Sequence, residues 1–188
     1  MALPADFARL RVLPHMEAEA RREYAGFGIQ LAGEHGWAGL AAEHAVVHAL
    51  REAGHKASRW TSRQADIAVV RSDGADLRLE VKSRVAAEGW THPEKYEWLV
   101  IPTHAGREPI KDAADAVLFG WYALEDPGLY WLLGFLRPAE FRRRAVFYRQ
   151  DEPLPRGGWA GEGGAYAIEV RQLRPLPRGM VRETWCST

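Results

Sequence analysis

The clearest hydrophobic period in the chain covers residues 39–53. There Leu40, Glu43, Val46, Val47 and Leu50 share one arc of a helical wheel, and His44, His48, Arg51, Glu52 and His55 take the other side. Gly54 supplies a stop. The period then changes to two. Leu77, Leu79 and Val81 alternate with Arg78, Glu80, Lys82 and Arg84, which predicts a half-buried strand over 77–84. Shorter apolar runs predict strands at 56–60, 66–71, 98–101, 116–122, 129–136, 145–149 and 165–170. Short helices are predicted at 15–24 and 138–144, and a helical turn at 91–97. Turn signals stand at Ser72-Asp73-Gly74-Ala75 and at Asp126-Pro127-Gly128, and residues 104–112 and 153–164 read as loops.

One helix followed by three strands is therefore the organising unit of an α/β (α+β) chain. Residues 1–36 read as an N-terminal arm packed on the core, 37–174 as one domain, and 175–188 as a C-terminal tail. A length of 188 residues suits one normal core, and 47% hydrophobic with 27% charged residues is ordinary for a globular protein. The net charge is zero, so nothing steers the whole molecule toward an acidic polymer or a membrane; a nucleic-acid partner would need a local basic patch. A single cysteine, Cys186, excludes an internal disulfide and fits a reducing, cytoplasmic interior. No apolar run is long enough for a membrane helix.

Charge chemistry concentrates in the helix-and-strands unit. Glu43 falls within the apolar arc, where a carboxylate must find an arginine, a cluster of backbone amides or a metal. Glu80 and Lys82 stand two apart, so they share a strand face. Lysine is scarce: only Lys56, Lys82, Lys95 and Lys111 occur in a chain that otherwise uses arginine. A compact ammonium is chemically distinct from a guanidinium, so each lysine is informative. Asp66 opens the strand before. It faces Glu80 and Lys82 only if the intervening turn holds an odd number of residues or a bulge; an even number turns it away. Two carboxylates and a lysine on one face match what phosphodiester hydrolysis needs: oxygen ligands for a hard divalent ion, and a cation near the attacking water. The blander reading is a solvated strand face with paired charges.

Together these residues resemble the PD-(D/E)xK nuclease superfamily, which includes restriction endonucleases and Holliday-junction resolvases. The likeness covers residues 39–84, with a looser match through 116–122. It implies a restriction-endonuclease-like αβββαβ core, a mixed central sheet flanked by helices, with extra C-terminal strands. It implies a hydrolase that cleaves DNA with Mg2+ (or Mn2+). Carried over, Asp66 and Glu80 are metal ligands, the Val81 carbonyl is a further ligand, Lys82 is the catalytic lysine, and Glu43 is the helix acid that holds a second metal or a water. Ala65 stands where the motif carries proline, and Gly89 and Pro93 interrupt the helix expected after the third strand.

The alternative is a catalytically inactive nucleic-acid-binding or assembly module on the same fold. An unrelated α+β domain would instead pair Glu43 with an arginine far from Glu80. Phosphate contacts are expected from Arg59, Arg63 and Arg84 beside the site, and from Arg142, Arg143 and Arg144 in a basic C-terminal stretch. His44 and His48 lack the glutamate of a zinc-protease motif and read as a solvent-facing pair. Trp121, Tyr122, Tyr130 and Trp131 read as sheet packing, and the aromatic strands that carry them offer an interface for a homodimer. Trp60, Trp90 and Trp98 flank the site, where stacking on a base is conceivable.

Overall fold

A computed structural model describes residues 7–26, 36–60, 65–85, 97–103, 109–123, 126, 128–155 and 157–182. Its frame is a curled, mixed six-stranded sheet. The strands are β1 (Ala8–Arg11), β2 (Lys56–Arg59), β3 (Ile67–Val70), β4 (Asp76–Val85), β6 (Ala116–Ala123) and β7 (Leu129–Leu136), in the order β1-β7-β6-β4-β3-β2. Only β4 and β6 run parallel; the other pairs are antiparallel. A second sheet holds β5 (Trp98–Pro102), β9 (Ala165–Glu169) and β8 (Val146–Tyr148) in that order.

Side-chain alternation builds three layers. One core lies between the large sheet and two helices, α1 (Pro14–Gly26) and α2 (Trp37–Glu52). Ile67, Val69, Leu79, Val81 and Leu118 meet the alanine-rich face of α2 there. A second core lies on the opposite face, where Val117, Phe119 and Trp121 meet Leu99, Ile168 and Phe141. Phe141 belongs to α3 (Pro138–Arg144) and stacks on Phe119 with ring centroids 5.8 Å apart. Pro138 opens α3, as its fixed φ favours. Burying apolar area on both faces of one sheet is the main stabilising force.

Most predicted elements are present within a residue or two, but their surroundings differ from expectation. The region read as an arm supplies β1, an edge strand on β7, and α1, which packs beside α2. In the C-terminal stretch, Leu176, Met180 and Val181 pack against the first core, and the Arg182 N–H donates to the Ala49 carbonyl at 3.2 Å. The helical turn expected at 91–97 falls almost wholly outside the described residues. Among those described between β4 and β6, the only regular element is β5. Trp121, Tyr122, Tyr130 and Trp131 are all at least nine-tenths buried, packed in the chain's own cores as the sheet-packing reading expects. Among the described residues, no helix is long and apolar enough to cross a membrane.

Candidate active site

The β3–β4 hairpin decides the geometry. Val70 pairs with Asp76, so the turn holds five residues, 71–75. Asp73 Oδ1 accepts the Ala75 N–H at 3.0 Å, and Gly74 takes φ +81°, a left-handed position that suits glycine. The odd turn sets the register as far as Ile67↔Leu79, where the ladder ends, and Asp66 follows as a bulge beside Leu79 rather than as a regular partner of Glu80. The Asp66 backbone is pinned on both sides: its N–H donates to the Leu79 carbonyl at 3.0 Å, and its carbonyl accepts the Trp60 N–H at 2.7 Å.

β3 stops pairing at Ile67, but β4 runs on to Val85, so a fork opens between them. Asp66 fills its apex. Asp66 Oδ2 accepts the Val81 N–H at 2.8 Å, replacing the lost ladder bond. In an extended strand a residue's N–H and C=O point to the same edge, so the Val81 carbonyl also faces the fork.

Glu80 and Lys82 lie on the sheet face of Val117 and Phe119, their partners on β6. That face is covered by the second layer, so the solvated strand face is not what forms. Glu80 is fully buried. A buried carboxylate costs several kcal/mol unless it is matched, and three groups match it or its neighbour. The Lys111 N–H donates to Glu80 Oε2 at 2.8 Å. The Lys82 ammonium lies 2.6 Å from Glu80 Oε1, a close ion pair, although that oxygen accepts no hydrogen bond of good angle. The Lys111 ammonium donates to Asp66 Oδ1 at 2.5 Å. Each carboxylate oxygen of Asp66 and Glu80 thus has one cationic or N–H neighbour.

Glu43 approaches from the other side of the sheet. It sits at the margin of the buried face of α2 rather than at its centre, with its side chain 16% exposed. Arg59 donates to Glu43 Oε2 through Nε at 3.0 Å and also holds Glu23 of α1, at 2.6 Å from NH1. This is the arginine partner that an unrelated α+β domain would supply. Asp66 nonetheless lies near enough to act on Glu43. Burial first, then the Asp66 charge, push the Glu43 carboxyl up to about 7 against the opposing pull of Arg59. Arg59 in turn is held more firmly protonated by its two acids. Tyr130, fully buried, accepts the Ser83 hydroxyl at 3.0 Å on the same face, and burial raises its pKa.

The predicted phosphate contacts fare unevenly. Arg59 is engaged by helix acids and only 17% exposed. Arg63 lies outside the described residues. Arg84 shares the Glu80 and Lys82 face and is half-buried. Arg142 pairs with Asp112, and Arg144 donates to the Gln172 carbonyl at 2.5 Å and pairs with Glu140. Arg143 is exposed on α3. His44 is not a free surface histidine: its Nε2 meets Arg59 at 3.0 Å, and burial followed by that cation lowers its pKa.

Sequence reasoning missed Lys111, which it assigned to a loop. The available signal was its rarity as one of four lysines. Oxygen donors only, from Asp66, Glu80 and the Val81 carbonyl, fit a hard divalent cation, and Glu80 Oε1 is a buried oxygen without a hydrogen-bond donor. Among the described residues, no three His, Cys, Asp or Glu side chains converge as a ready metal cluster. No protein-family model, curated protein or solved structure matches the chain.

Proposed function

We propose that the fork is the centre of a metal-dependent nuclease that hydrolyses DNA phosphodiester bonds on a restriction-endonuclease-like core. The observation that carries this reading is the meeting of Asp66, Glu80 and Lys82 at one gap in the sheet, with Glu80 fully buried. Buried acids that only decorate a sheet are costly, and apolar residues would fill that space more favourably. Buried, paired charge at a fork marks a candidate working site, and the Glu43 carboxyl raised to about 7 beside it adds to that reading.

Asp66, Glu80 and the Val81 carbonyl would hold Mg2+ or Mn2+. When bound, the ion supplies Lewis-acid stabilisation of charge developing on the phosphate. Lys82, kept beside Glu80, orients the attacking water and offsets negative charge on the phosphate oxygens. Glu43, with its affinity for a proton raised to near neutrality, holds or accepts a proton at its carboxyl at the far side of the fork. Exposed Arg143 on α3 would supply a phosphate contact, and Arg84 lies half-buried on the same face as Glu80 and Lys82.

One observation favours a second reading, a catalytically inactive nucleic-acid-binding module. Every acid at the fork already has a cation: Arg59 on Glu43, Lys111 on Asp66 and Lys82 on Glu80. A manganese titration separates the two. A nuclease binds Mn2+ through acids that Asp66→Asn and Glu80→Gln remove. DNA binding without any Mn2+ binding supports the inactive module.

A further inference from the structure

Lys111 reaches the fork from a segment that is firmly held. Ile110 before it is buried in the second core. The Lys111 carbonyl accepts the Ala114 N–H at 3.2 Å, and the Asp115 N–H donates to the Arg78 carbonyl at 2.8 Å. Asp115 also takes the Arg78 N–H on its own carboxylate at 2.8 Å. The backbone of Lys111 is thus fixed, with its N–H on Glu80 Oε2, while the ammonium sits on a four-carbon stem that is 32% exposed. These two bonds have different characters. The N–H cannot leave Glu80 without moving the segment, but the ammonium can swing into water by rotamer change alone.

The ammonium occupies Asp66 Oδ1, an oxygen that a divalent ion would need. The other Asp66 oxygen is taken by the Val81 N–H, so Oδ1 is the outward donor. Resting on the nuclease reading above, we infer that Lys111 is a tethered competitor for the metal: its ammonium neutralises Asp66 in the metal-free protein and leaves when a divalent ion binds. The arrangement keeps two acids together without a metal, and it sets the metal affinity lower than the acids alone would give. It also makes metal entry and release of the Lys111 side chain one event.

The test measures Mn2+ binding by isothermal titration calorimetry, a readout independent of cleavage. Lys111→Met keeps the stem and the backbone N–H but removes the charge; Lys111→Arg keeps a cation. Lys56→Met removes an exposed lysine on β2 and controls for net charge. The expected result is Mn2+ binding roughly tenfold or more tighter in Lys111→Met. Lys111→Arg and Lys56→Met should stay close to the unsubstituted protein. Thermal melts confirm that each variant folds. If the unsubstituted protein binds Mn2+ and Lys111→Met binds it equally or more weakly, the competitor role is wrong and the nuclease reading stands. An equal gain in Lys56→Met also overturns it. If neither the unsubstituted protein nor Lys111→Met binds Mn2+, both the competitor role and the metal site fall.

Discussion

The Glu43 carboxyl sets burial against an ion pair, and the two give opposite signs for stability against pH. Burial and the Asp66 charge raise its pKa from about 4.5 to about 7 in the folded protein, despite Arg59. The unfolded chain keeps the ordinary value. Between these limits the folded state binds more protons than the unfolded state, so stability falls as pH rises. At about 1.4 kcal/mol for each tenfold change in proton affinity, the full loss between pH 4.5 and 7 is roughly 3 kcal/mol. Glu43→Gln keeps the shape and a hydrogen-bond acceptor for Arg59 but cannot ionise. Relative to the unsubstituted protein, the glutamine variant should therefore gain roughly 3 kcal/mol of stability across that window. The assay is urea unfolding in the presence of a chelator at half-unit pH steps, followed by tryptophan fluorescence, for which the chain has eight reporters. A flat difference, or one in which the glutamine variant loses ground as pH rises, would refute the reasoning. It would mean that the Arg59 pair outweighs burial and Asp66.

Three further outcomes follow from the same geometry. Glu80→Ala leaves the Lys82 ammonium and the Lys111 N–H without their buried partner and should cost about 3 kcal/mol in urea unfolding; a cost below about 1 kcal/mol would show the acid is not matched as described. Lys82→Ala should lower magnesium-dependent cleavage at least about a hundredfold while the thermal melt stays cooperative, and cleavage at the unsubstituted rate would remove Lys82 from the chemistry. Gly120→Ala should destabilise by roughly 2 kcal/mol, because a methyl group there collides with the Tyr130 hydroxyl and the Trp131 carbonyl. That collision lies at the register shift between Phe119 and Gly120, so a neutral effect would mean that the β6–β7 pairing yields readily.

The strand over 76–85 and its neighbours were legible because their alternation is local: Leu79 and Val81 face one way, and Glu80 and Lys82 the other. Whether Asp66 faces Glu80 was legible only as a condition on how many residues the turn holds. The turn holds five, but the ladder ends at Ile67↔Leu79, and it is Lys111, with its ammonium on Asp66 and its N–H on Glu80, that joins the two acids. What covers the Glu80 face was not legible at all. Period-two alternation is the same whether the polar side meets water or a second sheet, and two strands of that sheet, β9 and β8, come from far along the chain. Arg59 and Lys111 were hidden for a similar reason. Arg59 reaches Glu43 and Glu23 because α1 and α2 pack together over β2, and Lys111 reaches Asp66 across 45 residues. Neither contact leaves a mark in local periodicity. Glu43 was rightly singled out as an acid needing a partner, but its place at the margin of the helix face reflects alanines that the wheel underweights.

The proposed function requires that the fork hydrolyse phosphodiester bonds with a divalent metal. Its most direct test is incubation of the protein with labelled duplex, single-stranded and branched DNA in Mg2+ or Mn2+, beside Asp66→Asn. The expected result is cleavage of at least one substrate that stops with a chelator and falls at least about a hundredfold in Asp66→Asn. No cleavage of any substrate by the folded protein, or cleavage undiminished in Asp66→Asn, would contradict it.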